Sequence, residues 1–416
     1  MLTVDLVVRS YRPSVASDSL AFAQTVLVAP RVTGDAPQAG AATVALVVDV
    51  SGSMSVEDKL EHAKTAANLF IDHLRPGDRL AIVAFDSAAQ ILAPLGTTAA
   101  SGAMKAAVSA MRPGGGTEMG KAMRIARDLM AGRGAETAGR VIVLTDGETS
   151  DEALCRSEAQ AAAQAGLPIS TYGVGTEWNT ELLTFIAETT KGRVRHIQTA
   201  ADVAQDLAGE FRDLQDTALS NAEIVVSPSQ DVTVKRLDRV IPDVVTYALG
   251  VSGDVQATVG DISRNPASAP QFLLDLVLPS RPAGAVRVAK VWMRYREVGR
   301  TEIRQTEPVN VVVTYTPDRG EVAMVDQEIR RLIDLRAAST MVAAAEKAMN
   351  AGDTAKATTL LTNAKAVTGR LGQAQVTKKL DEAIEELAKS GGMSKETRTT
   401  LLAGTRQTTK LDGFGG

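Results

Sequence analysis

One apolar run sets the main constraint on what this chain can fold into, because it ends abruptly in a polar loop. Val44 to Val48 is followed directly by Asp49-Val50-Ser51-Gly52-Ser53. An uninterrupted run of this kind is typical of a strand buried on both faces, as in a parallel sheet covered by helices. In an extended loop the alternating side chains of Asp49, Ser51 and Ser53 point to one side, so their oxygens can converge on one point.

Two further segments carry oxygen ligands where the chain leaves a strand or enters a helix. Thr117 follows the glycine-rich stretch Gly114 to Gly116, and Asp146 follows a second apolar run, Val141 to Thr145. The carboxyl ends of parallel strands form the usual ligand-binding edge of an open α/β sheet. Carboxylates and hydroxyls are hard ligands that suit Mg²⁺ or Mn²⁺. The sequence therefore predicts a divalent-cation site made of Asp49, Ser51, Ser53, Thr117 and Asp146.

These residues, taken together, resemble the metal-ion-dependent adhesion site of von Willebrand factor type A (vWA) domains. The resemblance rests on Asp-x-Ser-x-Ser at 49–53, the distal Thr117 and the strand-ending Thr-Asp-Gly at 145–147, and it covers about residues 42 to 218. It implies a vWA protein of the bacterial, intracellular type with this site intact.

The same resemblance implies a role for each ligand. Ser51 and Ser53 would bind the metal directly, Thr117 directly or through water, and Asp49 and Asp146 would hold metal-bound water. The implied cofactor is Mg²⁺, with Mn²⁺ or Ca²⁺ as alternatives. The implied partner is a protein that offers an Asp or Glu to the metal, which would make this chain a scaffold or regulatory protein and not an enzyme.

The composition excludes other classes of protein. A net charge of −4 and an aromatic content of 3% argue against a nucleic-acid partner. No apolar run approaches the length of a membrane span and the N-terminus lacks the pattern of a secretory signal, so we expect a cytoplasmic protein without a membrane partner. The single cysteine, Cys155, cannot form an internal disulfide and is expected to be an inert thiol on a helix.

The changes in periodicity along the 416 residues predict a multidomain α/β + β + α chain. A doubly wound, mostly parallel α/β domain is expected to be inserted in an antiparallel β-sandwich, and a C-terminal helical bundle is expected to follow. The boundaries are 1–40 for the first sandwich strands, 41–219 for the vWA domain, 220–318 for the rest of the sandwich, 319–403 for the helical domain and 404–416 for a flexible tail.

Two local features add finer expectations. Ser55 and Asp58 have the spacing of a capping box for the helix that follows the Asp49 loop. In the polar tail, Thr405, Thr408 and Thr409 are candidate phosphorylation sites, which a phosphothreonine reader such as a forkhead-associated domain would bind. The alternative for the tail is a solvated, unmodified terminus.

Two other functions stay open at the level of sequence. Gly115 to Ala122 nearly fits a P-loop, which would indicate a nucleotide hydrolase, but Ala122 stands where a Mg²⁺-binding hydroxyl is required and the loop follows a helix instead of a strand. Alternatively, the chain is a structural scaffold in which the metal only stabilises the loop. No arrangement of a nucleophile, a histidine and an acid is evident for covalent catalysis.

Overall fold

The chain forms two compact units in the computed structural model, which describes residues 2–18, 21–34, 41–56, 58–133, 137–146, 149–175, 178–197, 200–252, 254–265, 269–406 and 408. One unit is built from residues 1–36, 221–296 and 302–416, and the other from 37–220 with 297–301. The chain therefore begins the first unit, builds the second, and returns to complete the first. The first unit opens with three strands: β1 (Thr3–Ser10), β2 (Ser14–Ala16) and β3 (Ala21–Thr33).

The second unit alternates strands and helices around one six-stranded sheet. The strands lie in the order β6-β5-β4-β7-β8-β9, and every pairing is parallel except that of the edge strand β6 with β5. In chain order the elements are β4 (Thr43–Asp49), a 3₁₀ turn (Gly52–Ser55), α1 (Lys59–Asp72), β5 (Arg79–Phe85), β6 (Ala89–Gly96), a 3₁₀ turn (Thr98–Ala100), α2 (Ser101–Ala110), α3 (Met119–Met130), β7 (Gly139–Thr145), α4 (Glu152–Gln164), β8 (Ile169–Val174), α5 (Thr180–Thr190), β9 (Val194–Ile197) and α6 (Ala200–Gln215).

The two faces of β4 explain why its sequence is apolar throughout. Val44, Leu46 and Val48 pack into a core shared with α1, α2 and α6, whereas Ala45 and Val47 pack into a second core shared with α3, α4 and α5. Successive strand residues point to opposite faces, so a central strand covered on both sides must be apolar at every position. This double burial fixes the end of β4, and with it the position of Asp49.

A buried glutamate holds α6 against the sheet. The Glu210 carboxylate accepts hydrogen bonds from Ser170 and Tyr172 on β8 and from Arg140 on β7, the last at 2.8 Å. Burial raises the pKa of Glu210, but the charges of Arg140 and Arg193 and the two hydroxyl donors outweigh it and lower the pKa to about 2. The carboxylate therefore stays ionised inside the domain.

Both ends of the second unit meet at Asp78. Its Oδ1 accepts from the Ala42 backbone N–H at 2.8 Å, just before β4, and its Oδ2 accepts from Gln215 Nε2 at 2.6 Å, at the end of α6. The side chain of Asp78 is almost fully buried. One carboxylate thus ties together the points where the chain enters and leaves the domain.

Strands from the rest of the first unit join β1, β2 and β3 in two sheets, as far as the residues are described. One has the order β1-β3-β15-β11-β12, and the other β13-β14-β10-β16-β18-β2, in which β2 lies parallel to β18 and β17 pairs with β16. The interpretation of these sheets as a sandwich stays a prediction. The strands are β10 (Thr217–Pro228), β11 (Thr233–Ile241), β12 (Val245–Thr246), β13 (Gly250–Ser252), β14 (Asp254–Ser263), β15 (Gln271–Pro279), β16 (Gly284–Glu297), β17 (Ile303–Gln305) and β18 (Val309–Thr316).

Within the part of the chain that the structure describes, five helices complete the first unit. They are α7 (Arg319–Ala323), α8 (Gln327–Asn350), α9 (Thr354–Arg370), α10 (Ala374–Ser390) and α11 (Lys395–Arg406). Asp326 and Asp353 cap α8 and α9 by accepting backbone N–H groups of the first turn. The first turns of α8 pack Ile329 and Leu332 against Leu273 of β15, and the later turns form a helical core with α9, α10 and α11.

Two sequence expectations are wrong. Asp58 has a left-handed backbone (φ 54°) and makes no capping hydrogen bond, while the Ser55 hydroxyl donates to the Gly52 carbonyl, so no capping box forms. The tail is ordered further than expected, because residues 404–406 belong to α11 and Thr408 is buried. Its hydroxyl donates to the Val240 carbonyl at 2.5 Å and its N–H to Pro242.

These contacts bear on the proposed modification of the tail. The Thr405 hydroxyl is also buried and donates to Leu401 within α11. A phosphate on Thr405 or Thr408 would have to replace a buried hydrogen bond with a buried dianion, so the fold disfavours both as phosphorylation sites. Thr409 and most of the predicted flexible tail lie outside the described residues.

The predicted fold class agrees with the structure. The doubly wound α/β domain and the C-terminal helical region are confirmed. Cys155 is fully buried in α4, and burial raises the pKa of its thiol well above the usual range, as expected for an inert cysteine. No helix in the described part of the chain combines the length and hydropathy needed to cross a bilayer.

Candidate metal centre

Asp49 lies at the carboxyl end of the central strand β4 and organises the loop that follows it. Its Oδ1 accepts from the Ser51 backbone N–H at 2.8 Å, and its Oδ2 accepts from the Thr145 hydroxyl at 2.6 Å. Burial raises the pKa of Asp49, and the bonds from Ser51 and Thr145 counter that rise. Thr145 is the last residue of β7, so Asp49 joins the ends of two adjacent parallel strands.

The next contacts connect the two serines to the second aspartate. Ser51 Oγ lies 3.0 Å from Ser53 Oγ, and Ser53 Oγ donates to Asp146 Oδ1 at 2.7 Å. Asp146 follows β7 directly and is buried, whereas Ser53 is exposed. The oxygens of three of the predicted ligands therefore form one continuous chain that opens to solvent at Ser53.

Lys59, the first residue of α1, completes the contacts of Asp146. Its Nζ lies 2.8 Å from Asp146 Oδ2, and the lysine side chain is only 11% exposed. Thus each oxygen of Asp146 has a different partner, Ser53 on one side and Lys59 on the other. Sequence reasoning missed this residue, because its partner is remote in the chain.

The glycine-rich loop lies against the Asp49 loop through backbone contacts. Gly114 N–H donates to the Val50 carbonyl at 2.8 Å, and Gly52 N–H donates to the Gly115 carbonyl at 3.2 Å. Gly115 has φ +71°, and a Cβ at this position would lie 3.0 Å from the carboxylate of Asp86. Glycine suits this position, because it adopts a left-handed backbone without strain and leaves room for the side chain of Asp86.

A short segment after Asp146 fixes Thr117. The Thr117 carbonyl accepts from Ser150 N–H at 2.9 Å and from the Thr149 hydroxyl at 3.1 Å. Asp151 then accepts from two backbone N–H groups of the first turn of α3, those of Gly120 and Lys121. The position of Thr117 is thereby tied to the segment that carries Asp146.

The donor set fits a small hard cation. In octahedral coordination at 2.0–2.1 Å, neighbouring ligand oxygens lie about 3 Å apart. The Ser51–Ser53 separation is 3.0 Å. Within the described residues the Thr117 hydroxyl makes no hydrogen bond, so it can take a ligand. The described residues contain no group of three His, Cys, Asp or Glu side chains suited to a metal, and the predicted site depends on hydroxyls for most of its donors.

The structure thus brings Asp49, Ser51, Ser53 and Asp146 together and places Thr117 on the adjoining loop. The residues that sequence reasoning missed are Lys59 and the supporting residues Thr145, Thr149 and Asp151. Only Thr145 had a local signal, since it precedes Asp146 at the end of an apolar run.

Comparisons with known proteins identify two domains in the chain. Residues 43–214 match the family model of the von Willebrand factor type A domain, and residues 327–411 match that of the Sll0103-like C-terminal alpha-helical domain. Uncharacterized protein sll0103 of Synechocystis is 26% identical over 77% of this chain and 76% of its own length.

Two solved structures resemble the whole chain. One is a von Willebrand factor type A protein from Catenulispora acidiphila, with a TM-score of 0.81 at 18% identity over 97% of both chains. The other is the ArnB paralog VWA2 from Sulfolobus acidocaldarius, with a TM-score of 0.55 at 16% identity over 99% of this chain and 100% of that one. At these identities the likeness shows the fold alone. By its fold and its two family matches, the chain contains a von Willebrand factor type A domain and an Sll0103-like C-terminal helical domain.

Proposed function

We propose that this protein binds Mg²⁺ through an intact metal-ion-dependent adhesion site and uses the metal to capture an acidic side chain of a partner protein. Domains of the von Willebrand factor type A family are protein-interaction modules and are often metal-dependent. The observation that carries the proposal is the chain of oxygens from Ser51 through Ser53 to Asp146, in which both ends are buried and the middle residue, Ser53, is exposed to solvent.

The chemistry of these ligands suits recognition. Mg²⁺ prefers six oxygens and keeps several waters, which an incoming carboxylate can displace. Ser51, Ser53 and Thr117 are neutral donors, so they leave most of the positive charge of the ion available to a partner. Asp49 and Asp146 each use both oxygens in hydrogen bonds within the described residues, which suits them to hold metal-bound water.

One contact favours this function over nucleotide hydrolysis. In a P-loop the first N–H groups of the helix cradle phosphate. Here the N–H groups of Gly120 and Lys121 on α3 donate to the Asp151 carboxylate. A phosphate at this helix end would have to displace a carboxylate of the same sign, which supports a binding module and not a hydrolase.

Titration with Mg²⁺ or Mn²⁺ in a calorimeter, together with thermal melting, tests the metal site. We expect the wild type to bind both ions and to melt at a higher temperature with them, because a ligand bound only by the native state stabilises it. The Ser51→Ala and Ser53→Ala variants are expected to bind at least about tenfold more weakly.

Ser55→Ala is the matched control, since its hydroxyl lies in the same loop but donates to the Gly52 carbonyl. It should bind metal like the wild type. Absence of heat and of a thermal shift in the wild type at millimolar metal would refute the metal site.

Partner capture is tested next with intact and Ser51→Ala protein as baits, each in Mg²⁺ and in EDTA. A partner that depends on the site must be retained only by the intact bait in Mg²⁺, and not by the intact bait in EDTA or by the Ser51→Ala bait in either buffer. Changing a single Asp or Glu of that partner to Asn or Gln should then abolish binding. A partner that binds all four samples equally contradicts recognition through the metal and leaves a scaffold in which the metal only stabilises the loop.

A further inference from the structure

A positive charge lies inside the group of candidate metal ligands. The Lys59 side chain is 11% exposed, and its Nζ lies 2.8 Å from Asp146 Oδ2. A Cβ at Gly175, after β8, would lie 3.2 Å from Lys59 Cε, so the stem of the lysine runs close beside that loop. Lys59 is also the first residue of α1, which fixes its backbone.

We propose that Lys59 is a resident counter-charge that takes the place of the metal at Asp146 and thereby sets how tightly the site binds a divalent cation. The inference rests on the metal site proposed above. It assigns to Lys59 a regulatory role that neither the ligand motif nor the fold requires.

Without metal, Lys59 offsets negative charge in the site. Asp49 and Asp146 are both buried carboxylates, and leaving a buried charge unpaired is strongly unfavourable. Within the described residues, Lys59 is the only cationic side chain bonded to either of them. It therefore stabilises a folded, metal-free site that would otherwise contain two uncompensated negative charges.

When a metal ion enters the site, the charge of Lys59 opposes its binding. A fixed ammonium close to Asp146 repels an incoming divalent cation, and in a partly buried site that repulsion is poorly screened. The metal must also compete with Lys59 for the negative charge of Asp146. Both effects weaken metal binding, so Lys59 lowers the affinity while it keeps the metal-free domain folded.

The test compares metal affinity and stability in three variants of the full chain. Lys59→Met removes the charge and keeps the stem, whereas Lys59→Arg keeps a charge. Lys64→Met is the matched control, because Lys64 is a second buried lysine on α1, with its side chain 10% exposed, but pairs with Glu61. Mn²⁺ binding is measured by calorimetry, and melting temperatures are measured in EDTA and in Mn²⁺.

We expect Lys59→Met to bind Mn²⁺ about tenfold more tightly than the wild type, because the repulsion is gone. In EDTA the melting temperature of Lys59→Met should be several degrees below that of the wild type. Addition of Mn²⁺ should raise the melting temperature of the variant by more than it raises that of the wild type. Lys59→Arg should stay within about threefold of the wild-type affinity. Lys64→Met should leave the affinity for Mn²⁺ unchanged.

The results separate this inference from the proposed function. If the wild type binds Mn²⁺ and Lys59→Met binds it no more tightly, the inference is overturned while the metal site stands. If the wild type binds no metal, the proposed function fails and the inference fails with it.

A double-mutant cycle covers the case in which Lys59→Met does not fold without metal. In an Asp146→Asn background the buried charge is absent, so replacing Lys59 should no longer lower the melting temperature in EDTA. An equal loss in both backgrounds would mean that Lys59 stabilises the domain by packing alone, and would overturn the inference.

Discussion

At the scale of single residues, the candidate site depends on backbone positions as much as on its ligands. Thr117 is placed by a loop whose carbonyl and N–H groups bond to the Asp49 loop, and a Cβ at Gly115 of this loop would lie 3.0 Å from the Asp86 carboxylate. Its left-handed backbone disfavours any other residue. A substitution at this position should therefore affect the site without removing a ligand.

The first prediction is that Gly115→Ala lowers stability by about 1–3 kcal/mol, because it combines backbone strain with the approach to Asp86. It should also weaken Mn²⁺ binding. Gly114→Ala is the control, since nothing lies within 4 Å of a Cβ there. Urea unfolding and calorimetry measure both effects, and equal behaviour of the two variants would contradict the prediction.

At the scale of elements, the sequence predicts the α/β domain well because its strands are long apolar runs and its helices have clear apolar stripes. The same reasoning fails where an element is short or depends on a distant partner. The three-residue strand β2 forms only by pairing with β18, and α11 is polar in sequence but buries Leu401 and Leu402 against the other helices. Neither has a strong local pattern.

The candidate site is likewise predictable where its residues form a local motif, and not where they depend on a distant partner. Its five predicted ligands belong to a motif that can be found in the sequence, whereas the Lys59–Asp146 pair joins residues that are 87 positions apart. The capping box predicted at Ser55 failed for a related reason, because Ser55 ends a 3₁₀ turn and its hydroxyl donates to the Gly52 carbonyl instead of capping α1. Tertiary contacts here override local preference.

The second prediction concerns the attachment of α6 to the sheet through Glu210. Its pKa is lowered to about 2 in the folded state, so its ionised form stabilises the fold at pH values above the ordinary carboxylate pKa of 4.5. That contribution is lost as the pH falls from 4.5 towards 2, and the shift corresponds to about 3 kcal/mol. Glu210→Gln should lower stability at pH 7 by a similar amount.

Denaturant unfolding at pH 7 and at pH 3 measures this effect. The difference in the free energy of unfolding between the wild type and Glu210→Gln should be smaller at pH 3, because protonation of Glu210 in the unfolded chain then offsets the stabilisation that its charge gives the folded wild type. Glu181→Gln removes a carboxylate that is 87% exposed and should cost little at either pH. A deficit for Glu210→Gln that is independent of pH would show that the charge is not what stabilises α6.

At the scale of the whole molecule, the unit that contains the vWA domain is nearly continuous in sequence, and it interrupts the sequence of the other unit, which is made of three segments. Contacts within the domain join its two ends, because Asp78 bonds to both Ala42 and Gln215.

The third prediction is that residues 41–219 fold alone, with one cooperative thermal transition whose midpoint temperature Mn²⁺ raises. Circular dichroism tests this, and the Ser51→Ala version is the control for the metal response. A broad, non-cooperative melt would mean that the domain depends on the rest of the chain.

This order of segments has a consequence for synthesis on the ribosome. Strand β3 reaches its neighbour β15 only after about 240 further residues have been added, since Val28 pairs with Phe272. At ~5–20 residues per second, that interval lasts on the order of 10–50 seconds. By the end of this time β1 and β3 still have only each other, whereas every strand and helix of the vWA domain, from β4 to α6, has been synthesised. We expect the domain to fold on the nascent chain before the unit that surrounds it in sequence is complete.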